Sequence, residues 1–376
     1  MKVESISIQN FKLFDNLEVS FKNQTLNEVT NRFLILGDNG TGKTTLLQAI
    51  ALPLALATRQ ISSVSEFDWL GFLPARYSKW GTPHIKLHVS FEPEEIEATR
   101  EVAKRWYEAQ PAEFGSERPF VEPGDSTSVQ LILNGEYWKA GTTPEERAQF
   151  QGRYYAQKLL ATDPTDPSVR AQISKLPGIF WFDQFRNLGS NLYLEGSGFG
   201  SLPFGDGPFG GGRVAFEMGV GRLRQYLIEW KQRQESGQAY QTDYLTQLEN
   251  LYTRIFPERS FGDLEKIPRI DSPTEEDVYF LLKYRNRTYD IVEMSAGEQA
   301  VFPILYEFVR KQVAYSIVLI DEVDLNLHPP IAQFLVSQLP KIAPTCQLIL
   351  TTHSEAVNDI IGEAETYRLP GGVLCL

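Results

Sequence analysis

The run Gly37-Asp38-Asn39-Gly40-Thr41-Gly42-Lys43-Thr44 satisfies G-x-x-x-x-G-K-[ST] at every position. Glycines at this spacing let consecutive backbone N–H groups turn into one concavity, where they bind phosphate oxygens. A helix opening at Lys43 adds the positive end of its dipole. Lys43 is then placed to reach the β- and γ-phosphates of ATP, and the Thr44 hydroxyl to ligate Mg²⁺. Thr45 completes the candidate nucleotide contacts. A second run, Ile317-Val318-Leu319-Ile320-Asp321-Glu322, sets two carboxylates after an apolar stretch. Such a strand is buried, and its C-terminal end lies where ligands bind in open sheets. Asp321 is expected to hold Mg²⁺ through water, and Glu322 to orient and polarise an attacking water. Lys43 and Glu322 are thus the first catalytic candidates, with ATP and Mg²⁺ as cofactors.

These groups need elements to position them. Residues 32–36 (RFLIL), 178–183 (GIFWFD), 316–320 (SIVLI) and 346–351 (CQLILT) are short apolar runs, as expected of strands buried on both faces. Residues 3–9 and 17–21 read as strands with a turn at Asp15-Asn16, and 84–91 alternates as another strand. Hairpins are expected over 129–139, around Asn134-Gly135, and over 278–284 and 287–292, turning at Arg285-Asn286. Helices are expected over 43–57, 92–109, 144–160, 213–235, 240–255, 296–313 and 330–339. Strand and helix alternate at both ends of the chain. That predicts an α/β protein with a mostly parallel core sheet, an antiparallel β part and a helical insertion. The expected divisions are 1–183, 184–276 and 277–376. Glycine-rich residues 196–212 read as a mobile connector, because ordering such a backbone is entropically unfavourable. No internal repeat and no coiled-coil heptad run is visible.

Composition narrows the function classes. The 376 residues carry 36 Lys plus Arg against 48 Asp plus Glu, a net charge of −12, so broad polycation-like binding of nucleic acid is excluded. Cys346 and Cys375 are the only cysteines, which excludes a disulfide scaffold and a four-cysteine zinc site. No signal-peptide pattern opens the chain, and the apolar stretch 46–57 is too short to span a bilayer. A cytoplasmic protein without membrane contact is expected.

Four further motifs resemble the ABC-type ATPases of the SMC/RecF/OLD kind. Ile6-Ser7-Ile8-Gln9-Asn10-Phe11-Lys12 resembles that group's opening I-x-N-F-[KR]. Met294-Ser295-Ala296-Gly297-Glu298-Gln299 resembles its signature L-S-x-G-[EQ]. Val323-Asp324-Leu325-Asn326-Leu327-His328-Pro329 resembles its D-loop region, and Thr351-Thr352-His353-Ser354 its switch-histidine motif. All stand in the family's order, while about 60–280 matches by position only. The resemblance implies a P-loop NTPase of the ABC ATPase-head type. It implies an ATP-dependent, head-to-tail homodimer in which Lys43 of one copy and Ser295, Gly297 and Glu298 of the other enclose the nucleotide, with higher assembly open. Asp324 would lie near that interface, and His353 would register the γ-phosphate. A serine and glycine opening a helix are themselves suited to bind an anion through backbone N–H groups. The family also carries a Mg²⁺-contacting glutamine at a strand end. Gln184 is the candidate and Gln60 its rival.

Long coiled coils and a nuclease domain are expected to be missing, which leaves an ATPase head that works with a separate effector. In this it resembles the stand-alone ATPases of prokaryotic anti-phage systems such as Septu and some retrons. The alternatives are a RecF-like DNA-repair clamp and a nucleotide sensor that barely turns over. Other features read as structural. His84 and His88 lie in an alternating strand with no third metal ligand, Cys346 and Phe180-Trp181-Phe182 read as core, and Arg222, Arg224, Lys231 and Arg233 as a solvated helix face.

Overall fold

Apolar runs bounded by turns become the strands of two sheets in a first unit, which comprises Met1–Gln184, Gln312–Asp324 and Leu339–Leu376. A computed structural model describes residues 1–23, 25–111, 119–163, 166–184, 212–237, 243–267 and 278–370, with backbone alone for 212–222. One sheet is antiparallel, in the order β2-β1-β4-β5-β6. Its strands are β1 (Lys2–Phe11), β2 (Phe14–Ser20), β4 (His84–Ser90), β5 (Ser128–Asn134) and β6 (Tyr137–Ala140). The other, in the order β13-β3-β12-β11-β7, is parallel throughout. It contains β3 (Arg32–Leu36), β7 (Ile179–Phe182), β11 (Ile317–Ile320), β12 (Gln347–Thr352) and β13 (Thr366–Arg368).

Helix α1 (Lys43–Ala57) is buried at every residue except Thr44. It is apolar all round because residues of both sheets pack on it in one core. Ile179 and Trp181 of β7, Ile317 and Leu319 of β11, and Ile349 of β12 enter that core. With a side-chain period of two, the next residues on the same face are Asp183, Asp321 and Thr351. Helices α2 (Pro93–Glu108), α3 (Pro144–Ala148), α4 (Gly152–Thr162), α5 (Pro167–Ile173) and α10 (Glu355–Ile361) complete the described part of this unit.

Several expected boundaries move. The β1–β2 turn is at Lys12-Leu13, with Lys12 at φ 52, and Asp15 and Asn16 lie inside β2. The pair Phe11–Phe14 closes the hairpin there because both rings are buried. Asn134 pairs with Tyr137, so the next turn is Gly135-Glu136, with Gly135 supplying a left-handed φ of 59. The expected helix 144–160 is interrupted by a 3₁₀ turn at Gln149–Gln151. Gly152 follows it, where a Cβ would stand 2.6 Å from the Thr99 hydroxyl of α2, so this approach requires glycine.

The second unit comprises Phe185–Lys311 and Leu325–Gln338. Strands β8 (Arg259–Lys266), β9 (Val278–Tyr284) and β10 (Arg287–Asp290) form an antiparallel sheet in the order β10-β9-β8. Helices α6 (Gly212–Glu235), α7 (Tyr244–Ile255), α8 (Ala296–Arg310) and α9 (Pro329–Ile342, to Gln338 in this unit) accompany it. The Tyr252 and Phe302 rings meet edge to face at 5.4 Å, as do Phe261 and Phe280 at 5.3 Å. Strand β8 is unforeseen because Gly262 and a register shift between Phe261 and Leu264 erase its alternation. This division differs from the one expected at 276/277. Residues 278–290 cluster with the second unit because β9 pairs with β8 on one side and β10 on the other. The reading of 196–212 as a mobile connector lies outside the described residues, save that Gly212 opens α6. Among the described residues no helix is long and apolar enough to cross a membrane.

Candidate functional site

The phosphate loop joins β3 to α1 in the first unit. Gly40 and Gly42 adopt φ 85 and 102, which side-chain-bearing residues rarely do. A Cβ on Gly42 would also stand 2.7 Å from the Phe14 ring, so the β1–β2 hairpin presses on the loop where only hydrogen is tolerated. Gly37 is similarly hemmed, with Thr41 Oγ1 2.6 Å from its ideal Cβ position. Thr41 Oγ1 donates to the Asp38 carbonyl at 2.8 Å, which braces the turn around Asn39. Thr45 is buried in the first turn of α1. Lys43 is 5% exposed and its Nζ donates to the Gly37 and Asp38 carbonyls at 2.8 and 3.2 Å. The same amine lies 3.2 Å from Glu322 Oε1.

The carboxylates of the second run stand at the C-terminal end of β11, facing this loop. Thr44 Oγ1 donates to Asp321 Oδ2 at 2.6 Å, and Thr351 Oγ1 donates to Asp321 Oδ1 at 2.6 Å. Glu322 has a left-handed φ of 47, a strained conformation for a non-glycine residue. Its N–H donates to Thr351 Oγ1 at 2.8 Å. Thr351 therefore links the Asp321 carboxylate to the backbone of Glu322. His353 Nδ1 is 3.0 Å from Glu322 Oε2, and the ring is half exposed. Asp324 Oδ1 accepts from Thr352 Oγ1 at 2.5 Å. The structure thus brings together Lys43, Thr44, Asp321, Glu322 and His353, all within one unit.

Gln184 is exposed two residues beyond β7, at the same end of the sheet as Asp321. Gln60 instead donates from Nε2 to the Ile179 carbonyl at 2.8 Å, at the opposite end of β7. Of the two, Gln184 is the one that stands at the Asp321 end of the sheet. Sequence reasoning named Thr351 and Thr352 only as part of the switch-histidine motif and gave them no contact of their own. Their signal was the Thr-Thr pair before His353, because hydroxyls at a strand end can bridge neighbouring carboxylates.

In the second unit, Ser295 caps α8 in a capping box with Glu298. Glu298 is 1% exposed and its Oε2 accepts from Ser295 N–H at 2.9 Å and Ser295 Oγ at 2.6 Å. Its Oε1 accepts from Tyr289 at 2.5 Å, from Tyr252, and from the Arg259 guanidinium. Burial pushes this carboxyl up, but the hydrogen bonds from Ser295, Tyr252, Tyr289 and Arg259 outweigh it and hold the pKa down to about 2. Glu298 therefore anchors the signature segment, whereas the resemblance expected it to touch nucleotide. An ideal Cβ on Gly297 would lie 3.4 Å from the Asn326 carbonyl oxygen, so the D-loop chain passes close to the helix opening.

The donor set at Thr44 and Asp321 is a hydroxyl and a carboxylate, hard oxygen ligands beside a phosphate cradle. That chemistry fits Mg²⁺, which takes few protein ligands and completes its shell with phosphate and water. Among the described residues no group of three or more His, Cys, Asp or Glu could hold a metal by itself. His88 instead meets Gln130 at 3.2 Å. Arg224 pairs with Asp290, Lys231 with Glu235 at 3.8 Å, and Arg233 with Glu229. The side chain of Arg222 and all of Cys375 lie outside the described residues.

The fold and site have the form of a P-loop nucleotide-binding protein with a parallel core sheet and an antiparallel β part. A family model described as "AAA ATPase domain" matches residues 1–104, and one described as "AAA domain, putative AbiEii toxin, Type IV TA system" matches 231–359. The chain is similar to "Retron Vc95 probable ATPase" of Vibrio cholerae serotype O1 biovar El Tor, 37% identical over 78 residues, covering 18% of this chain and 15% of that protein. It is similar to "Septu protein PtuA" of Bacillus mycoides (strain KBAB4), 23% identical over 361 residues, covering 94% of this chain and 38% of that protein. The matched segments thus span well under half of these relatives' own lengths. Among solved structures, the SMC head domain from Thermotoga maritima matches with a TM-score of 0.43 and 13% identity, covering 96% of this chain and 92% of that one. Over the matched segments the chain is similar to these ATPase family models and to these retron and Septu proteins.

Proposed function

We propose that the protein is an ATP-dependent dimeric switch in anti-phage defence that controls a separate, nuclease-like effector. The observation that carries the ATPase reading is the convergence of Lys43, Thr44, Asp321, Glu322 and His353 at the C-terminal ends of β3, β11 and β12. Loop N–H groups and Lys43 bind the triphosphate. Thr44 and Asp321 would hold Mg²⁺, which when bound neutralises charge on the phosphates. Glu322 orients water and accepts its proton, while His353 hydrogen-bonds Glu322 from one side and meets the γ-phosphate from the other. Gln184 would contact the metal site from the end of β7. Asp324 and the α8 opening at Ser295 and Gly297 would complete the site of a second copy, giving two equivalent sites about a two-fold axis. The similarity to retron and Septu proteins supports the defence assignment. No observation favours the DNA-clamp alternative, since Arg224, Lys231 and Arg233 each pair with an acidic residue.

Sedimentation of Glu322→Gln with Mg²⁺-ATP tests the switch. The expected result is a stable dimer that Ser295→Arg disrupts. A monomer at micromolar protein, with ATP demonstrably bound, would falsify the composite-site reading. Co-expression with a neighbouring nuclease gene, followed by a nuclease assay with and without ATP, tests effector control. Nuclease output indifferent to ATP rules that control out.

A further inference from the structure

Ser295 has a single hydroxyl proton, and in this structure it goes to Glu298 Oε2 at 2.6 Å. The same Oε2 accepts the Ser295 N–H at 2.9 Å, so it keeps a donor if the hydroxyl turns away. An ionised phosphate oxygen is an acceptor, and it can engage Ser295 Oγ only by taking that proton from Glu298. At an ordinary O–H···O length of about 2.7 Å, such an oxygen would stand within about 5.5 Å of the carboxylate. Glu298 is 1% exposed, so solvent does little to screen it. The signature segment thus sets a buried anion behind the atoms that should receive another anion, and its charge has to be cancelled.

Among the described residues, Arg259 at the start of β8 is the cation paired with it. Its guanidinium meets Glu298 Oε1 and donates from Nη1 to the Tyr289 hydroxyl at 2.9 Å. It also lies over the Tyr284, Phe256 and Tyr289 rings, 5.0, 5.6 and 6.0 Å from their centroids. Rings and hydrogen bonds together fix a planar cation at Oε1, the carboxylate oxygen that Ser295 does not use. Tyr252 and Tyr289 donate to Oε1 as well, but as neutral hydroxyls they leave the charge in place. All of these groups belong to the second unit.

We infer that Arg259 is a positioning residue of the composite nucleotide site, the counter-charge that lets Ser295 turn its hydroxyl from Glu298 to a phosphate of the nucleotide held by a second copy. With Arg259 in place, the Arg259–Glu298 pair is neutral and stays behind the helix opening while Ser295 exchanges one acceptor for another. Without it, Glu298 carries an uncompensated charge that repels the phosphate and holds the hydroxyl more tightly. This deepens the dimeric reading given above and rests on it.

ATP-dependent dimerisation of the full-length chain carrying Glu322→Gln tests it. Sedimentation with Mg²⁺-ATP gives the dimer dissociation constant, and titration of a fluorescent ATP analogue into dilute protein gives the nucleotide affinity of the single copy. Adding Arg259→Met should raise the dimer constant about tenfold or more, as loss of one member of a close charge pair does. Single-copy nucleotide affinity should stay within about twofold, because the phosphate loop lies in the other unit. Arg259→Lys, which keeps the charge, should recover part of the loss. Glu298→Gln separates charge from packing. Although less stable, it should dimerise at least as tightly as the chain with Glu322→Gln alone, because Arg259 then faces the phosphate with its charge uncancelled. A lowered melting temperature in Arg259→Met with an unchanged dimer constant would make Arg259 a packing residue and overturn the inference. Weaker dimerisation of Glu298→Gln would also overturn it, and that arm decides the matter if Arg259→Met does not fold. If the chain with Glu322→Gln alone stays monomeric with ATP bound, the dimeric reading itself fails, an outcome distinct from all of these.

Discussion

Lys43 and Glu322 form a 3.2 Å ion pair, with the lysine 5% and the glutamate 15% exposed. The group that should bind the γ-phosphate is thus held by the group that should activate water. On the proposed reading an arriving triphosphate competes with Glu322 for the same amine, and winning that competition leaves the carboxylate, already 3.0 Å from His353, to face water. Loading and activation of the base are thereby one event.

Glu322→Gln follows directly. Removing the charge ends the competition while keeping the shape. ATP should bind as tightly as to wild type or more tightly, and phosphate release should fall by about 10²–10⁴-fold, the range for loss of a general base. Fluorescent-ATP titration and a phosphate-release assay check the two halves separately. Wild-type turnover would show that another group polarises the water. Lys43→Ala should instead weaken ATP binding itself.

Thr351 offers a test of the link between Asp321 and Glu322. Its hydroxyl accepts from Glu322 N–H at 2.8 Å and donates to Asp321 Oδ1 at 2.6 Å. Thr351→Val keeps the volume and strands that N–H where Glu322 already holds φ 47. Stability should fall by about 1–3 kcal/mol, the penalty for an unsatisfied buried polar group. Turnover should fall about tenfold at saturating ATP, while Thr351→Ser should restore both. Denaturant melts and steady-state kinetics measured together decide it. Lost stability with unchanged turnover would reduce Thr351 to a packing role.

Much of this site was legible because phosphate binding imposes local rules. The loop from Gly37 to Thr44 declares itself by residue type and spacing, as do the carboxylates after an apolar strand. The parallel core strands were legible as short apolar runs, and the 43–57 helix came out residue for residue. What escaped depends on distant partners. Thr351 matters only because β12 pairs with β11. Strand β8 escaped because a bulge and Gly262 break its alternation. The β1–β2 turn escaped because Phe14, buried against Gly42, outweighs the turn preference of Asp15-Asn16.

The loop glycines should differ in a measurable way. Gly40 has φ 85 with nothing within 4 Å of an added Cβ, whereas Gly42 has φ 102 with the Phe14 ring at 2.7 Å. Gly40→Ala should incur backbone strain alone, about 1–2 kcal/mol. Gly42→Ala adds a clash with an aromatic ring anchored in the core, for a total above about 3 kcal/mol. Thermal melts should place Gly42→Ala several degrees below Gly40→Ala. Equal melting temperatures would mean that Phe14 yields and does not brace the loop.

Glu298 ties the stability of the second unit to pH. Its carboxyl is held at about 2 against an ordinary 4.5, so the folded chain binds a proton less readily than the unfolded chain. The resulting stabilisation is full above about pH 4.5 and is lost as pH falls toward about 2, by up to about 3 kcal/mol for this shift. Glu298→Gln has no such carboxyl to protonate. It should be less stable than wild type at pH 7, because Arg259, Tyr252 and Tyr289 lose a charged acceptor. That gap should shrink as pH is lowered from 5 to 3, since acid removes from wild type what the substitution already removed. Urea unfolding of both proteins at half-unit pH steps measures it. A gap that stays constant across the series would show that the hydrogen bonds to Glu298 do not depend on its charge. In that event the Ser295 cap, and not the carboxylate beneath it, fixes the start of α8.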